Sequence, residues 1–131
     1  MSIYFAPSRV SVRQLAQILF GPNYSNQPRS VLAPEFRHDQ VRLRGQVIEL
    51  YCHIEQWLKS NVRTLVRGDW RLSDIQPLVP CGLYRHLRVL KYERNLWAHQ
   101  SEIPPQYPRI SIGRINKSTI GLFNEIQKLS E

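Results

Sequence analysis

The sequence predicts an all-α fold, a bundle of about four to five helices. Apolar residues recur at steps of three and four along most of the chain, which is the spacing of one helix face. No segment alternates convincingly between apolar and polar residues, and the apolar stretch 110–112 is too short to build a sheet. The 131 residues are 42% hydrophobic, which suffices for one core. No apolar run approaches the roughly 20 residues of a membrane span, so no membrane partner is expected.

The first predicted helix covers residues 12–20. Ser11 followed by Gln14 resembles a capping box, and apolar residues follow at helical spacing. Gly21 is expected to end this helix, and the proline-rich stretch after it is expected to form a surface loop. Residues 1–34 are therefore predicted to be an N-terminal short helix and loop.

A long helix is predicted from residue 35 to residue 66. Its apolar stripe consists of Val41, Val47, Ile48, Tyr51, Ile54, Leu58, Val62 and Leu65. Only Gly45 interrupts the pattern, at a cost of about 1 kcal/mol relative to alanine. Gly68 is expected to close the helix, and residues 70–80 are expected to form a connector with room for one short helical turn.

Two further helices are predicted, one over residues 82–99 and one over residues 114–129. Both carry apolar residues at helical spacing. The intervening segment 101–113 holds three prolines, so it is expected to be irregular. Everything from residue 35 to residue 131 is predicted to form one helical domain.

The charge balance favours a polyanionic partner. Lys and Arg together number 18 against 10 acidic residues, which gives a net charge of +8, and 14 of the 18 cations are arginines. The planar guanidinium suits phosphate, so the bias favours nucleic acid. The alternative is an ordinary basic domain from an arginine-rich proteome.

The cysteine, histidine and acidic residues of the sequence do not predict a metal site. Cys52 and Cys81 lie far apart and outside any CxxC pair, so free thiols in a reducing, cytoplasmic location are the simpler interpretation, although a disulfide stays open. Cys52 is expected to be a small buried apolar residue. Glu49 and His53 have the i, i+4 spacing of a metal pair, but no third ligand is apparent.

The string Arg94-Asn95-Leu96-Trp97-Ala98-His99 closes the helix predicted for residues 82–99. It resembles the R-x4-6-H signature of the HEPN family (higher eukaryotes and prokaryotes nucleotide-binding), many of whose members are metal-independent ribonucleases. A polar residue directly follows the arginine, as family members usually show. The motif also lies between a long helix and a C-terminal helix, which is the family's layout. The resemblance implies a HEPN-like helical domain over residues 35–131.

The chemistry of RNA cleavage assigns a role to each motif residue. Attack by the 2′-hydroxyl needs a proton acceptor, a proton donor for the leaving 5′-oxygen, and a cation beside the phosphorane. His99 is the candidate base or acid, because histidine changes charge near neutral pH. Arg94 is the candidate phosphate clamp, and Asn95 would orient His99 or contact phosphate. The resemblance implies a homodimer in which two copies of the motif face each other across one cleft.

A basic band precedes the motif on the same predicted helix. Arg85, Arg88 and Lys91 are three residues apart, so they drift slowly round the helix. We predict that they bind RNA as a track leading to the cleft, and a solvated helix face is the equal alternative. Arg42 and Arg44 on the long helix carry a weaker form of the same prediction.

The predicted function is a metal-independent endoribonuclease acting as a homodimer, a toxin or defence effector that needs no cofactor. RNA, a second copy of the chain and an antitoxin or regulatory protein are the expected partners. One alternative is a non-catalytic RNA-binding or protein-interaction HEPN module, and another is a small helical adaptor whose Arg–His spacing is accidental.

In HEPN toxins silenced by a nucleotidyltransferase, a tyrosine lies two residues after the histidine. Ser101 occupies that position here, so that mode of silencing is not expected.

Overall fold

The structure, a computed structural model, describes residues 4–22, 24, 30–63 and 71–130. Within these residues the chain forms five α-helices, two short 3₁₀ turns and no strand, which confirms the predicted all-α bundle. The helices are α1 (Arg9–Phe20), α2 (Gln40–Asn61), α3 (Leu72–Ile75), α4 (Cys81–His99) and α5 (Tyr107–Leu129), and the 3₁₀ turns cover Pro34–His38 and Gln76–Leu78. None of these helices is both long enough and apolar enough to cross a bilayer.

Helix α1 begins at Arg9, three residues before the predicted start. The capping residue is Ser8, whose hydroxyl accepts the backbone N–H of Ser11 at 3.1 Å, and not Ser11 as predicted. The Ser11 hydroxyl instead donates to the side-chain oxygen of Asn61 at 2.7 Å, which ties α1 to the end of α2. Gly21 ends α1 as predicted, at a φ of 90° that a glycine adopts without strain.

Helix α2 is shorter than the predicted helix at both ends. Asp39 caps it, since the side-chain oxygen of this residue accepts the backbone N–H of Arg42 at 3.0 Å. The chain before Asp39 forms a separate 3₁₀ turn. Helix α2 ends at Asn61, because Val62 is extended and pairs with Phe5 in an isolated bridge. The predicted stop at Gly68 lies outside the described residues.

Helix α4 matches the predicted helix, but α5 begins at Tyr107 and not at residue 114. The predicted irregular segment is therefore helical from Tyr107 onward. Pro108 occupies the second position of α5, where a missing backbone N–H costs nothing because the first turn has no partner for it. The predicted connector before α4 contains α3 and a 3₁₀ turn. Buried Leu72 and Ile75 hold this connector against the core.

Helices α4 and α5 run antiparallel at the centre of the bundle, and α2 packs against α4. Trp97 is fully buried, and its indole N–H donates to the hydroxyl of buried Ser111 at 2.8 Å. Truncating a buried tryptophan to alanine costs about 3–5 kcal/mol, so Trp97 anchors the end of α4 firmly. Leu15 and Ala16 of α1 lie in the same core cluster as the residues of the later helices.

Candidate functional site

The structure brings Arg94 and Asn95 into contact near the end of α4. Both residues are half-buried. The guanidinium of Arg94 donates to the side-chain oxygen of Asn95 at 2.5 Å and lies 5.4 Å from the centre of the Tyr51 ring on α2. The long arginine side chain thus contacts Asn95 on its own helix and also reaches Tyr51 on the neighbouring helix. A cation over an aromatic face is held there electrostatically.

His99 is the last residue of α4, and it is exposed. Helix α4 ends where the backbone N–H of Gln100 bonds to the carbonyl of Leu96 at 3.0 Å. Asn95 precedes His99 by four residues, so the two share one face of the helix. The motif therefore has an anchored part, in which Arg94 and Asn95 contact each other, and an accessible imidazole at the helix end.

Tyr51 supplies a neutral ring beside Arg94. Burial, the largest cause, and the nearby Glu55 carboxylate raise the pKa of Tyr51 to about 12, while Arg94 opposes the rise. The phenol therefore stays protonated well above neutral pH and presents an uncharged ring to the guanidinium. The sequence pattern indicates only that Tyr51 belongs to the apolar stripe of the long helix.

Arg44 also belongs to this region. Its guanidinium donates to the backbone carbonyl of Trp97 at 2.6 Å, and the residue is half-buried. The last carbonyls of a helix have no partner within the helix, so a cation that bonds one of them stabilises the helix end. The sequence predicts only a weaker RNA-binding role for Arg44. It does not predict this contact, because Trp97 is 53 residues further along the chain.

Glu93 is a buried carboxylate that the sequence did not single out. It is 0% exposed, and the hydroxyl of Tyr107 lies 2.8 Å and 2.6 Å from its two oxygens. Burial first, and then the hydrogen bond to Glu93, raise the pKa of Tyr107, so the hydroxyl keeps its proton and donates it. The contact joins α4 to the first residue of α5.

Two of the three residues of the predicted basic band line one groove, and the third does not. Arg85 and Arg88 line a groove of about 600 Å³ between α4 and α5, together with Arg114 and Lys117 of α5. Lys91 is half-buried and is not among the residues that line this groove. The sequence pattern does not indicate that the two α5 cations lie here, because it does not fix the register between the helices.

The metal-ligating residue types form no cluster of three in the part of the chain that the structure describes. His53 and Glu49 contact each other at 3.4 Å on the surface of α2. Cys52 and Cys81 are free and exposed, so the expectation that Cys52 is buried was wrong. Cys52 follows Tyr51 on α2, and that step of one residue turns it away from the buried stripe.

No protein-family model matches the chain, and no curated protein or solved structure matches it either. The likeness to the HEPN family therefore depends on the motif Arg94 to His99 and on its place at the end of a helix.

Proposed function

We propose that the chain is a metal-independent endoribonuclease of HEPN type that works as a homodimer. The observation that supports this most is the exposed imidazole of His99 at the end of α4, one helical turn after the bonded pair of Arg94 and Asn95. The net charge of +8 favours a polyanionic substrate. The toxin or defence role belongs to the same proposal.

The reaction begins when the 2′-hydroxyl oxygen of one nucleotide attacks the adjacent phosphorus. His99 of one subunit takes the hydroxyl proton as the bond from the 2′-oxygen to phosphorus forms. The bond from phosphorus to the 5′-oxygen then breaks, and the partner subunit's His99 gives that oxygen a proton. The products are a 2′,3′-cyclic phosphate and a 5′-hydroxyl. One chain supplies one His99, so a two-fold interface provides the acid and the base together.

Arg94 stabilises the negative charge that develops on the phosphorane. A guanidinium has five N–H donors, so the bond to Asn95 leaves others for phosphate oxygens. The Tyr51 ring and Asn95 fix the guanidinium in one place before substrate binds. A donor that is already oriented costs no reorganisation when charge develops.

The second candidate is a non-catalytic RNA-binding or protein-interaction module with the same fold. One observation favours it: Arg94 is half-buried between Tyr51 and Asn95, and such contacts also suit a residue that only joins α2 to α4. In this case His99 would be an exposed helix-end residue without chemistry.

Cleavage of RNA in EDTA tests the proposal. The wild-type protein should cut RNA under chelation and leave 2′,3′-cyclic phosphate ends. His99→Gln should lower the rate by about 100-fold or more, the usual contribution of general acid–base catalysis. His53→Gln is the matched control, since it removes a histidine from the surface of α2 and should leave the rate unchanged.

Three results would count against the ribonuclease. Products with a 5′-phosphate would indicate a different reaction, and full loss of cleavage in EDTA would indicate a metal nuclease. Undiminished cleavage by His99→Gln would remove the imidazole from the mechanism. Sedimentation at micromolar concentration tests the dimer separately, because a monomer that still cleaves would contradict a composite site.

A further inference from the structure

The groove between α4 and α5 concentrates positive charge outside the Arg94–His99 motif. Arg85 and Arg88 on α4 and Arg114 and Lys117 on α5 are all exposed and line the same groove. No ion pair joins any of these four cations to another described residue. Their fields therefore add, and the single charge of the Glu125 carboxylate, which acts on His86 beside Arg85 and Lys117, offsets only part of them.

Among the described residues that line the groove, one is acidic, and its side chain does not reach the surface. Glu93 is fully buried, and both of its oxygens lie within hydrogen-bond distance of the Tyr107 hydroxyl. The buried carboxylate thus faces a donor of the protein. A ligand in the groove meets the four cations first.

An exposed aromatic ring lies among the cations. Tyr92 is 60% exposed and lines the groove one helical turn after Arg88. A basic groove with an aromatic platform is the arrangement that binds single-stranded nucleic acid, because the cations hold the backbone and a base stacks on the ring. From Arg85 to Tyr92 the groove follows about 10 Å of helix axis, which fits a few nucleotides.

We infer that this groove binds the phosphodiester backbone of single-stranded RNA and that Tyr92 stacks against one of its bases. The choice of RNA as the ligand rests on the proposed function. The site itself differs from the cleavage motif, since it is built from α4 and α5, whereas Arg94 points towards α2. The groove would hold the strand while the motif acts on it.

Binding of an RNA that the proposed chemistry cannot cleave tests the groove by itself. The probe is a fluorescent 2′-O-methyl oligouridine of about 12 nucleotides, within the usual span of single-strand sites, and the readout is anisotropy in EDTA. The 2′-O-methyl group removes the attacking hydroxyl. Binding is therefore measured whether or not the protein is a nuclease.

Two double variants of equal charge compare the groove with the rest of the surface. Arg88→Gln with Arg114→Gln removes two groove cations. Arg63→Gln with Arg109→Gln removes two exposed arginines that do not line the groove. The groove variant should bind about tenfold more weakly, and its salt dependence should fall by roughly 1.4 in slope, about 0.7 for each phosphate that the protein no longer neutralises. The control should bind like the wild type, and equal weakening in both variants would overturn the inference.

Variants of Tyr92 distinguish RNA binding from general attraction to polyanions. Tyr92→Ala should weaken RNA binding about fivefold or more, whereas Tyr92→Phe keeps the ring and should bind normally. Binding of polyglutamate, which has no bases, should not change in either variant. If polyglutamate binds the wild type as tightly as the oligonucleotide and Tyr92→Ala alters neither, the groove is a general polyanion surface and the inference fails.

The two proposals can fail independently. If the groove variant alone loses binding while the wild type never cleaves unmodified RNA, the groove site stands and the ribonuclease does not. If the wild type cleaves RNA but both double variants bind the oligonucleotide alike, the ribonuclease stands and the groove site does not.

Discussion

Arg44 of α2 donates a 2.6 Å hydrogen bond to the backbone carbonyl of Trp97 in the last turn of α4. Trp97 is also bonded through its indole to Ser111 of α5. The helix end that presents His99 is therefore fixed by side chains from two other helices. A candidate catalytic group on an exposed helix end gains its position from these two hydrogen bonds.

Arg44→Ala should lower the free energy of unfolding by about 1–2 kcal/mol, because it removes a charged, half-buried hydrogen bond and leaves the Trp97 carbonyl without this donor. Urea denaturation measures the change. Arg109→Ala is the control, since Arg109 is exposed on α5 and its loss should change stability by no more than about 0.5 kcal/mol. Equal stability of Arg44→Ala and the wild type would contradict a role for this bond.

The contact between Tyr107 and Glu93 should be worth about 2 kcal/mol, because Tyr107→Phe deprives a buried carboxylate of its donor. Chemical denaturation of Tyr107→Phe measures the loss. A double-mutant cycle with Glu93→Gln isolates the pair. The double variant should lose less than the two single variants together. Strict additivity would mean that the two groups do not depend on each other.

The helices and the place of the motif could be predicted from the sequence, since both follow from local spacing. Apolar periodicity located α4 to within one residue. The start of α5 was missed, because a proline-rich segment resembles a loop unless the proline falls in the first turn, as Pro108 does. The start of α2 was missed because Asp39 was not recognised as its cap.

The contacts of the candidate site depend on tertiary structure, and no local pattern predicts them. Arg94 and Asn95 are neighbours in the chain, so their contact is the one that the sequence alone could suggest. The approach of Arg44 to Trp97 depends on how α2 packs against α4. The groove cation Arg114 depends on the register between α4 and α5. The HEPN relationship and the ribonuclease activity stay predictions.

Two glycines of α5 should respond differently to alanine. A Cβ at Gly113 meets no atom within 4 Å, so Gly113→Ala should raise stability by about 1 kcal/mol through helix propensity. A Cβ at Gly121 would collide with the imidazole of His86, so the ring has to leave its place against α5. Gly121→Ala should therefore be less stable than Gly113→Ala in thermal unfolding.

Removing the imidazole tests the cause of that difference. In an His86→Ala background, Gly121→Ala should recover the gain expected of helix propensity, because the colliding ring is gone. If Gly121→Ala remains unfavourable without the imidazole, the close approach of His86 is not what requires glycine at this position.

His86 should also make stability depend on pH. Burial, the largest cause, lowers the pKa of His86 from its ordinary 6.5; the Glu125 carboxylate opposes this, and Arg85 and Lys117 add to it. The unfolded chain therefore binds this proton more strongly than the folded protein. The stability that neutral His86 contributes is fully present above pH 6.5 and is lost as the pH falls from there towards the lowered pKa of the folded protein.

Unfolding measured between about pH 8 and about pH 5 tests this dependence. Over this range the free energy of unfolding should fall more for the wild type than for His86→Gln, which keeps the other histidines. Parallel curves for the two proteins would contradict a His86 pKa lowered by burial.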